Sequence, residues 1–559
     1  MEFDWWLPSH DESCVEHLAK TLNIPFHIAK ILLNRGLTQV EQAYRFLYPR
    51  LKHLYDPWSL KDMDRAVERI HQAIVKKEKV VIYGDFDVDG LAGTAILYLF
   101  LSPFLKNLSY YIPHRIKEGY ALNIEAIKKF KAADISLIIT TDCGSSNNEE
   151  IKFAQENGID VIVTDHHQVP SSLPPAYALI NPKQPECLFP FKELAGVGVA
   201  FNLLIALRQF LHNQGFWSTG KIPNLKNYLD LVALGTIADM VPLIDENRIL
   251  VKSGLEVLAQ TNRVGLKALK AITGLNYDTN VRNVSFRLIP RLNVAGRISS
   301  PDKALRLLLT EEEQEAQSLA KTLHELNQER QRMEEKIFRE AQAEFEKTNH
   351  SVLVGNWHPG VIGIVAGRLV EVLKKPILLI GLQNEKGKGS GRSIEGCDLF
   401  AALSQCAEYL DSYGGHKLAA GFSITEDNLE IFIHAFEQIL QPMLKKCKQP
   451  RFYIDTKINL WDLTPQFVKY LSLLSPHGIG NPEPTFLSEA LDVKQSRIVN
   501  EKHLKLVVSQ KNLAFEAIGF NLSCFYPPPS PLQMVFVPYE DHWLGETKVK
   551  LKIQDLKSV

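Results

Sequence analysis

From Lys79 onward, short runs rich in β-branched residues alternate with amphipathic segments, and that alternation limits the possible folds more than any other feature. Val80–Tyr83, Leu108–Ile112, Leu137–Thr141 and Val161–Thr164 read as strands; Leu91–Leu101, Ile124–Ala132 and Glu149–Asn157 read as helices between them. Strand and helix in turn make βα units, and βα units make a parallel sheet covered by helices. An open parallel sheet carries its ligands beyond the carboxyl ends of its strands. The residues that follow each run are therefore the ones that matter for chemistry.

Those residues are acidic or imidazole. Val80–Tyr83 leads into Gly84-Asp85-Phe86-Asp87-Val88-Asp89-Gly90, Leu137–Thr141 into Asp142-Cys143-Gly144, and Val161–Thr164 into Asp165-His166-His167. Farther on, a helical stretch ends in Gly235-Thr236-Ile237-Ala238-Asp239. Singly, each has a plainer reading. An Asp-x-Asp-x-Asp-Gly run is more often a turn or a calcium loop, a His-His pair is usually structural, and Asp239 would merely cap a helix. A calcium loop of the EF-hand type needs a closing Glu, however, where this chain continues at once with the apolar Leu91–Leu101. Delivered together to one sheet edge, the carboxylates would repel one another unless a cation neutralised them. Oxygen ligands with some imidazole suit Mn²⁺ or Mg²⁺. The supply is generous enough for two ions, with Asp142 a natural bridge between them, and paired ions about 3.5–4 Å apart clamp the attacking and leaving oxygens of a phosphoryl transfer.

The rest of the chain divides by texture. With 559 residues and roughly 100–200 residues per domain, three to five units are expected. Residues 1–60 read as an aromatic-rich helical segment and 61–309 as the α/β unit just described. Residues 310–347 read as one connecting helix, on the order of 50–60 Å long at about 1.5 Å per residue, with Thr310 as its N-cap. A second, smaller α/β unit spans 348–447. Short strand-like runs over 448–559, including Phe452–Ile458, Leu504–Val508 and Gln533–Val537, suggest a small barrel, plausibly an OB-fold.

Composition excludes more than it selects. Residues 1–20 hold no basic start followed by an apolar run, and no stretch is apolar and long enough to span a bilayer, so a cytoplasmic protein without a membrane partner is expected. The 7 scattered cysteines fit neither a zinc pattern nor a disulfide framework. A net charge of -1 requires that any nucleic-acid surface be a local basic groove.

At the acidic and imidazole residues the chain resembles the DHH phosphoesterase family, named for its Asp-His-His motif, here Asp165-His166-His167. Four motifs of that family occur in order: Gly84–Gly90, Thr141–Gly144, Asp165–His167 and Gly235–Leu243. Arg291–Arg297 is similar to a further motif of the RecJ branch. Trp357–Gly363 and Gly414–Gly421 resemble the DHH-associated domain, and Gly478–Pro484 resembles the RecJ segment leading into its OB-fold. The likeness runs from about Val80 to the C-terminus. It implies that Asp85, Asp87, Asp142, His166 and Asp239 bind two Mn²⁺ or Mg²⁺ ions, that Asp165 supports them from behind, and that His167 lies near the scissile phosphate; Asp89 would do either job. One position departs: many smaller relatives carry a histidine ligand four residues before the first Asp, where this chain has Val81. That fits the RecJ branch better than the small-substrate one.

For the substrate, Arg291 and Arg297 offer charge to neighbouring phosphates. In the second unit Ser390 and Arg392, with Gly415 and His416, combine glycine with hydroxyl and cationic groups; paired with Trp357 and His358 they look like a pocket for a terminal phosphate and nucleotide, a role the resemblance supports. Arg368 reads as structural. In the barrel, Phe452, Phe486, Lys494, Arg497 and Lys505 are candidates for gripping a strand. The expected activity is hydrolysis of single-stranded DNA from an end, 5′ to 3′ by the likeness, in repair and recombination. The nearest alternative is a phosphodiesterase for short oligonucleotides or cyclic dinucleotides; a non-catalytic DNA scaffold and a polyphosphatase stand farther off. A monomer is expected, and the likeness raises single-strand-binding protein and a helicase as partners.

Overall fold

The computed structural model describes all residues except 1–3, 116–117, 218–221, 276–277, 384, 448–450 and 544–545, and all described side chains except those of 542, 543, 546 and 547. The expected parallel sheet is present. Its five strands lie in the order Leu108–Tyr111, Val80–Gly84, Leu137–Thr141, Asp160–Thr164 and Ala178–Ile180, every neighbouring pair parallel. Side chains alternate between two apolar layers, as a strand's period of two requires. Val80, Ile82, Leu137 and Ile139 face one layer, with the helix Val88–Leu101; Val81, Tyr83, Ile138 and Val161 face the other, with Ile127 and Phe130. Val81 is thus wall rather than ligand. The register sets Gly84 opposite Thr141 and Thr141 opposite Thr164, so three strands stop level and Asp85, Asp142 and Asp165 begin in one row.

The connecting helix runs Glu313–Thr348, 36 residues, about 54 Å at 1.5 Å per residue. It begins later than the expected Thr310 cap. Thr310 instead ends the preceding helix, its N–H donating to Arg306 O, while its hydroxyl accepts from Glu312 N–H and donates to Glu315. One face of the long helix enters two cores in succession. Ala316, Ala320 and Leu323 pack with the first unit, and Ile337, Phe338 and Ala341 with Val361, Val365 and Leu369 of the second.

In the second unit the strands Val352–Gly355 and Ile377–Gln383 are parallel, while Lys386–Arg392, Ala419–Thr425 and Ser412–Gly415 add antiparallel. The C-terminal strands Phe486–Val499, His503–Gln510, Leu513–Gly519, Glu546–Ser558 and Leu532–Trp543 close into a five-stranded barrel through the pairing of the last with the first. The N-terminal helices Glu12–Leu22, Phe26–Asn34 and Val40–Leu47 have no core of their own: Val15, Ile28, Leu32 and Leu47 share one apolar cluster with Phe467, Phe486 and Leu551. Among the described residues no helix is long and apolar enough to cross a membrane.

Candidate metal centre and substrate cleft

The row of strand ends is drawn tight by glycines and caps. A Cβ on Gly90 would sit 2.6 Å from Asp85 N, and one on Gly196 would sit 2.7 Å from Asp142 Cβ, so the helices Val88–Leu101 and Gly196–Asn213 start against the carboxylates. Asp87 caps the first helix, its Oδ1 accepting from the N–H groups of Asp89 and Gly90. Asp89 spends both oxygens on the second, accepting from Gly196 N–H at 2.7 Å and Val197 N–H at 2.9 Å. Asp142 holds φ +62°, a left-handed backbone uncommon for a side-chain-bearing residue. Asp165 is enclosed by donors: Ser145 N–H, His166 N–H, His167 N–H and His167 Nδ1 at 2.7 Å.

Three groups of side chains then bring ligand atoms within 4.8 Å of one another: Asp85, Asp87 and Asp142; Asp142, His166 and His167; Asp89, His166 and Asp239. His166 Nε2 stands 3.1 Å from Asp142 Oδ1 and 3.5 Å from Asp239 Oδ2. Asp85 Oδ1, Asp142 Oδ1, His166 Nε2 and Asp239 Oδ2 are buried without a hydrogen-bond partner. Buried polar atoms in proteins are nearly always satisfied, so orphans gathered in overlapping groups call for bound cations. The donor chemistry, carboxylate oxygens with one imidazole and no thiolate, fits Mn²⁺ or Mg²⁺. Asp142 and His166 each belong to two of the three groups, and of the pair only the carboxylate, with two oxygens, suits a bridging position.

The electrostatics carry the same message. Burial, then the neighbouring carboxylates, pushes Asp85 and Asp142 well above the usual carboxylate range. Burial and Asp87 raise Asp239 to about 6. Burial and the adjacent His167 lower His166 to about 3, leaving its imidazole neutral and able to ligate. Against the cost of its own burial, Asp165 is lowered by its hydrogen bond and charge pairing with His167, and that bond lifts His167 to about 9. Asp165 and His167 form an ion pair beside the ligand groups, with His167 also a member of one of them.

Across the cleft lies a second cluster, of cations. The helix Ile289–Ile298 packs on the first acidic loop, with Asn293 Oδ1 accepting from Val88 N–H and Gly296 too close to Phe86 O for any larger residue. It carries Arg297, lowered to about 10 by burial and by Arg115, Arg330 and Arg392 nearby. Arg297 Nη1 reaches Gly360 O of the second unit at 3.4 Å, and a Cβ on Gly363, in the same helix Pro359–Leu373 as Gly360, would meet Ser390 Oγ and Arg392. The register aligns Arg392 with Ala419, whose carbonyl accepts from His416 N–H, so Gly415 and His416 lie exposed along the same sheet edge.

Similarity to known proteins follows the same division. Residues 79–236 match the N-terminal domain of the DHH family, residues 348–441 the DHHA1 domain and residues 454–555 the RecJ OB domain. The chain is 38% identical over 99% of its length to the single-stranded-DNA-specific exonuclease RecJ of Bacillus subtilis, covering 70% of that protein. It is 35% identical to the Escherichia coli protein of the same name, covering 92% of each. The chain belongs to the RecJ family. The fold superposes on RecJ of Thermus thermophilus in complex with Mn²⁺ with a TM-score of 0.84 at 31% identity, over 100% of this chain and 80% of that one.

Within this RecJ framework several expected site residues hold other positions. Trp357, expected at the nucleotide pocket, is 5% exposed, and its indole N–H donates to Glu340 of the long helix at 2.8 Å; packing consumes it. His358 caps the helix Pro359–Leu373 through Nδ1, leaving Nε2 as its remaining polar atom. Arg291 is engaged by His324 Nδ1 and Arg287 O, a step back from Arg297. Phe486 is fully buried in the barrel core, and Lys494 and Lys505 pair with Asp492 and Glu516. Arg368 is structural as expected, laid over the Phe338 ring and bonded to Glu335. Two residues escaped the sequence reading. Arg115 lies over the Phe86 ring within reach of the Asp85 and Asp87 charges, and Tyr120 places its hydroxyl 3.2 Å from His167 Nε2. Both follow the strand Leu108–Tyr111, at the same sheet edge as the acidic loops, but no acidic motif marks the end of that strand.

Proposed function

We propose that this chain is a metal-dependent exonuclease that degrades single-stranded DNA from a 5′ end. The observation that carries the reading is the meeting of buried, unsatisfied carboxylate and imidazole atoms with an arginine cluster in one cleft. Asp85, Asp87, Asp142, His166 and Asp239 would hold the ions. Mn²⁺ or Mg²⁺ at this set supplies Lewis-acid charge for the phosphate and a lowered pKa for water. Asp142, shared by two ligand groups, would be a ligand common to both ions. His167, its Nδ1 fixed by Asp165, directs Nε2 and its positive charge toward the scissile phosphate. Asp89 and Asp165 work from behind, one fixing the start of a helix and the other orienting His167. Arg115, Arg297 and Arg392 with Ser390 would receive a terminal phosphate, Arg through its planar fork of donors. Arg291, His358, Gly415 and His416 border that receptor.

The barrel adds a groove of about 520 Å³ lined by Arg497, Lys505 and Glu516, suited to a strand backbone. The long helix and barrel favour a polymer over a cyclic dinucleotide. A cytoplasmic monomer meeting single-strand-binding protein and a helicase completes the reading, on the family likeness alone. Digestion of end-labelled single- and double-stranded DNA, with Mn²⁺ and after chelation, tests it. Single-strand loss from the 5′ end only with metal is expected; equal cutting after exhaustive chelation, or of blunt duplex, would refute it.

A further inference from the structure

Asp239 differs from the other ligand candidates in how its backbone is held. Asp85, Asp142 and His166 hang from strand ends fixed by the sheet ladder. Asp239 follows the last turn of the helix Leu229–Ala238, and the chain then turns through Met240 at φ +61° into a stretch without regular structure before the helix Asp245–Ala259. That stretch is gripped from outside the catalytic unit. Leu243 N–H donates to Ile479 O at 2.7 Å, in the loop ahead of the barrel. A Cβ on Gly478 would meet Leu243 Cδ1 at 2.6 Å, and Gly480, at φ +73°, lies against Pro242. The loop tip is closed by reciprocal Gly478 and Asn481 backbone bonds, and the buried Asn481 side chain donates to Leu474 O and Pro476 O.

The other half of the grip is Arg248, 1% exposed, from the helix that follows Asp239. All its donors go to carbonyls: Phe46 O, Leu473 O, Leu474 O, Ser475 O and Pro476 O at 2.8–3.2 Å, with the guanidinium 4.0 Å over the Phe46 ring. The stretch carrying Asp239 and the loop ahead of the barrel are therefore stitched together at both ends.

We propose that the loop Ser475–Asn481, with Arg248, is a clamp that positions Asp239, so that metal affinity at the catalytic sheet depends on the docked C-terminal unit. The clamp rests on the reading of Asp239 as a metal ligand. Outer partners that orient a ligand are worth about ten- to a hundredfold in metal affinity. Calorimetric titration of Mn²⁺ into the metal-free full chain tests the idea. Gly478→Ala is expected to weaken Mn²⁺ binding about tenfold with an unchanged circular dichroism spectrum, and Leu243→Ala added to it to restore affinity by removing the atoms the new methyl meets. Arg248→Lys, which keeps the charge but loses the fork, should weaken binding in the same direction. Parent-like Mn²⁺ affinity in Gly478→Ala or Arg248→Lys, or no rescue by Leu243→Ala, would overturn the clamp. Asp239→Asn separates the two claims: parent-like binding there would remove Asp239 from the ligand set itself.

Discussion

In the first sheet the strands end on carboxylates withdrawn from water, with Asp85, Asp142 and Asp165 all 2% exposed or less, whereas the second sheet meets the same cleft with arginine, serine, glycine and an exposed His416. Asp165 is already paired with His167, but Asp85 and Asp142 are buried beside other carboxylates, so a proton or a bound cation must neutralise them. The second group stays partly solvated, with Arg392 lowered by burial and by Arg115 nearby, a strain that a bound anion would relieve. A phosphodiester supplies what both lack once metal is present. The difference also separates two kinds of mutational effect: changes on the first sheet act on metal affinity and rate, and changes on the second act on substrate affinity.

The largest expected effect breaks the first side. Asp142→Asn keeps the side chain's shape and tolerates the left-handed backbone at φ +62°. Nuclease activity should fall roughly a thousandfold, the equivalent of about 4 kcal/mol of lost transition-state stabilisation. Stability should move the opposite way: without metal the variant should be roughly 1–3 kcal/mol more stable, because a buried like charge is gone, and it should gain less from added Mn²⁺. A variant that still cuts at the parent rate would remove Asp142 from the bridging position.

On the second side, Arg392→Ala should raise KM for 5′-phosphorylated single strands by roughly thirtyfold, about 2 kcal/mol for a lost charge-assisted contact. The Mn²⁺ titration should be unchanged. Steady-state kinetics with phosphate-ended and hydroxyl-ended substrates checks this; equal penalties for both ends would deny the receptor its terminal phosphate.

Glu246 sharpens the contrast, because it is a fully buried carboxyl outside the ligand groups, with Oε1 taken by Tyr55 N–H and Oε2 unsatisfied. Burial, with Asp245 adding to it, raises its pKa from 4.5 to about 7. The folded state therefore holds a proton that the unfolded chain has released between these values. Its contribution to stability is complete below about pH 4.5 and is lost as pH rises through 7, by on the order of 3 kcal/mol. Glu246→Gln, permanently neutral, should gain Tm over the parent at pH 8 and little at pH 5. A Tm difference that is constant between the two would show that Glu246 is ionised throughout.

Much of this arrangement was legible in the sequence because strand ends leave local marks: β-branched runs stopping at Asp85, Asp142 and Asp165 announce both the strand and its edge. The paired cores of the long helix were legible from its unbroken apolar spacing. What escaped depends on distance along the chain or on side-chain direction. The N-terminal helices bury themselves on a barrel more than 400 residues later, for which neither segment carries a local signal. Arg115 follows a strand with no acidic motif, so nothing drew attention to it. Asp89 sits in the same acidic run as Asp85 and Asp87, yet a helix start consumes both its oxygens, which spacing does not reveal.

Trp357 is the sharpest case of direction defeating composition. A tryptophan beside His358, Pro359 and Gly360 reads as a nucleobase platform, but Gly355 leaves room for its ring, and Gly381 for its backbone carbonyl, so the ring turns inward against the long helix, where Glu340 takes its N–H. If packing is its whole role, Trp357→Phe should cost about 1 kcal/mol, mainly the lost hydrogen bond to a half-exposed carboxylate. KM for single-stranded DNA should not change, since the ring offers no face to the cleft. Thermal unfolding and steady-state kinetics on one preparation decide it. A raised KM with unaltered Tm would return Trp357 to the nucleotide pocket and make the second sheet's side of the comparison aromatic as well as cationic.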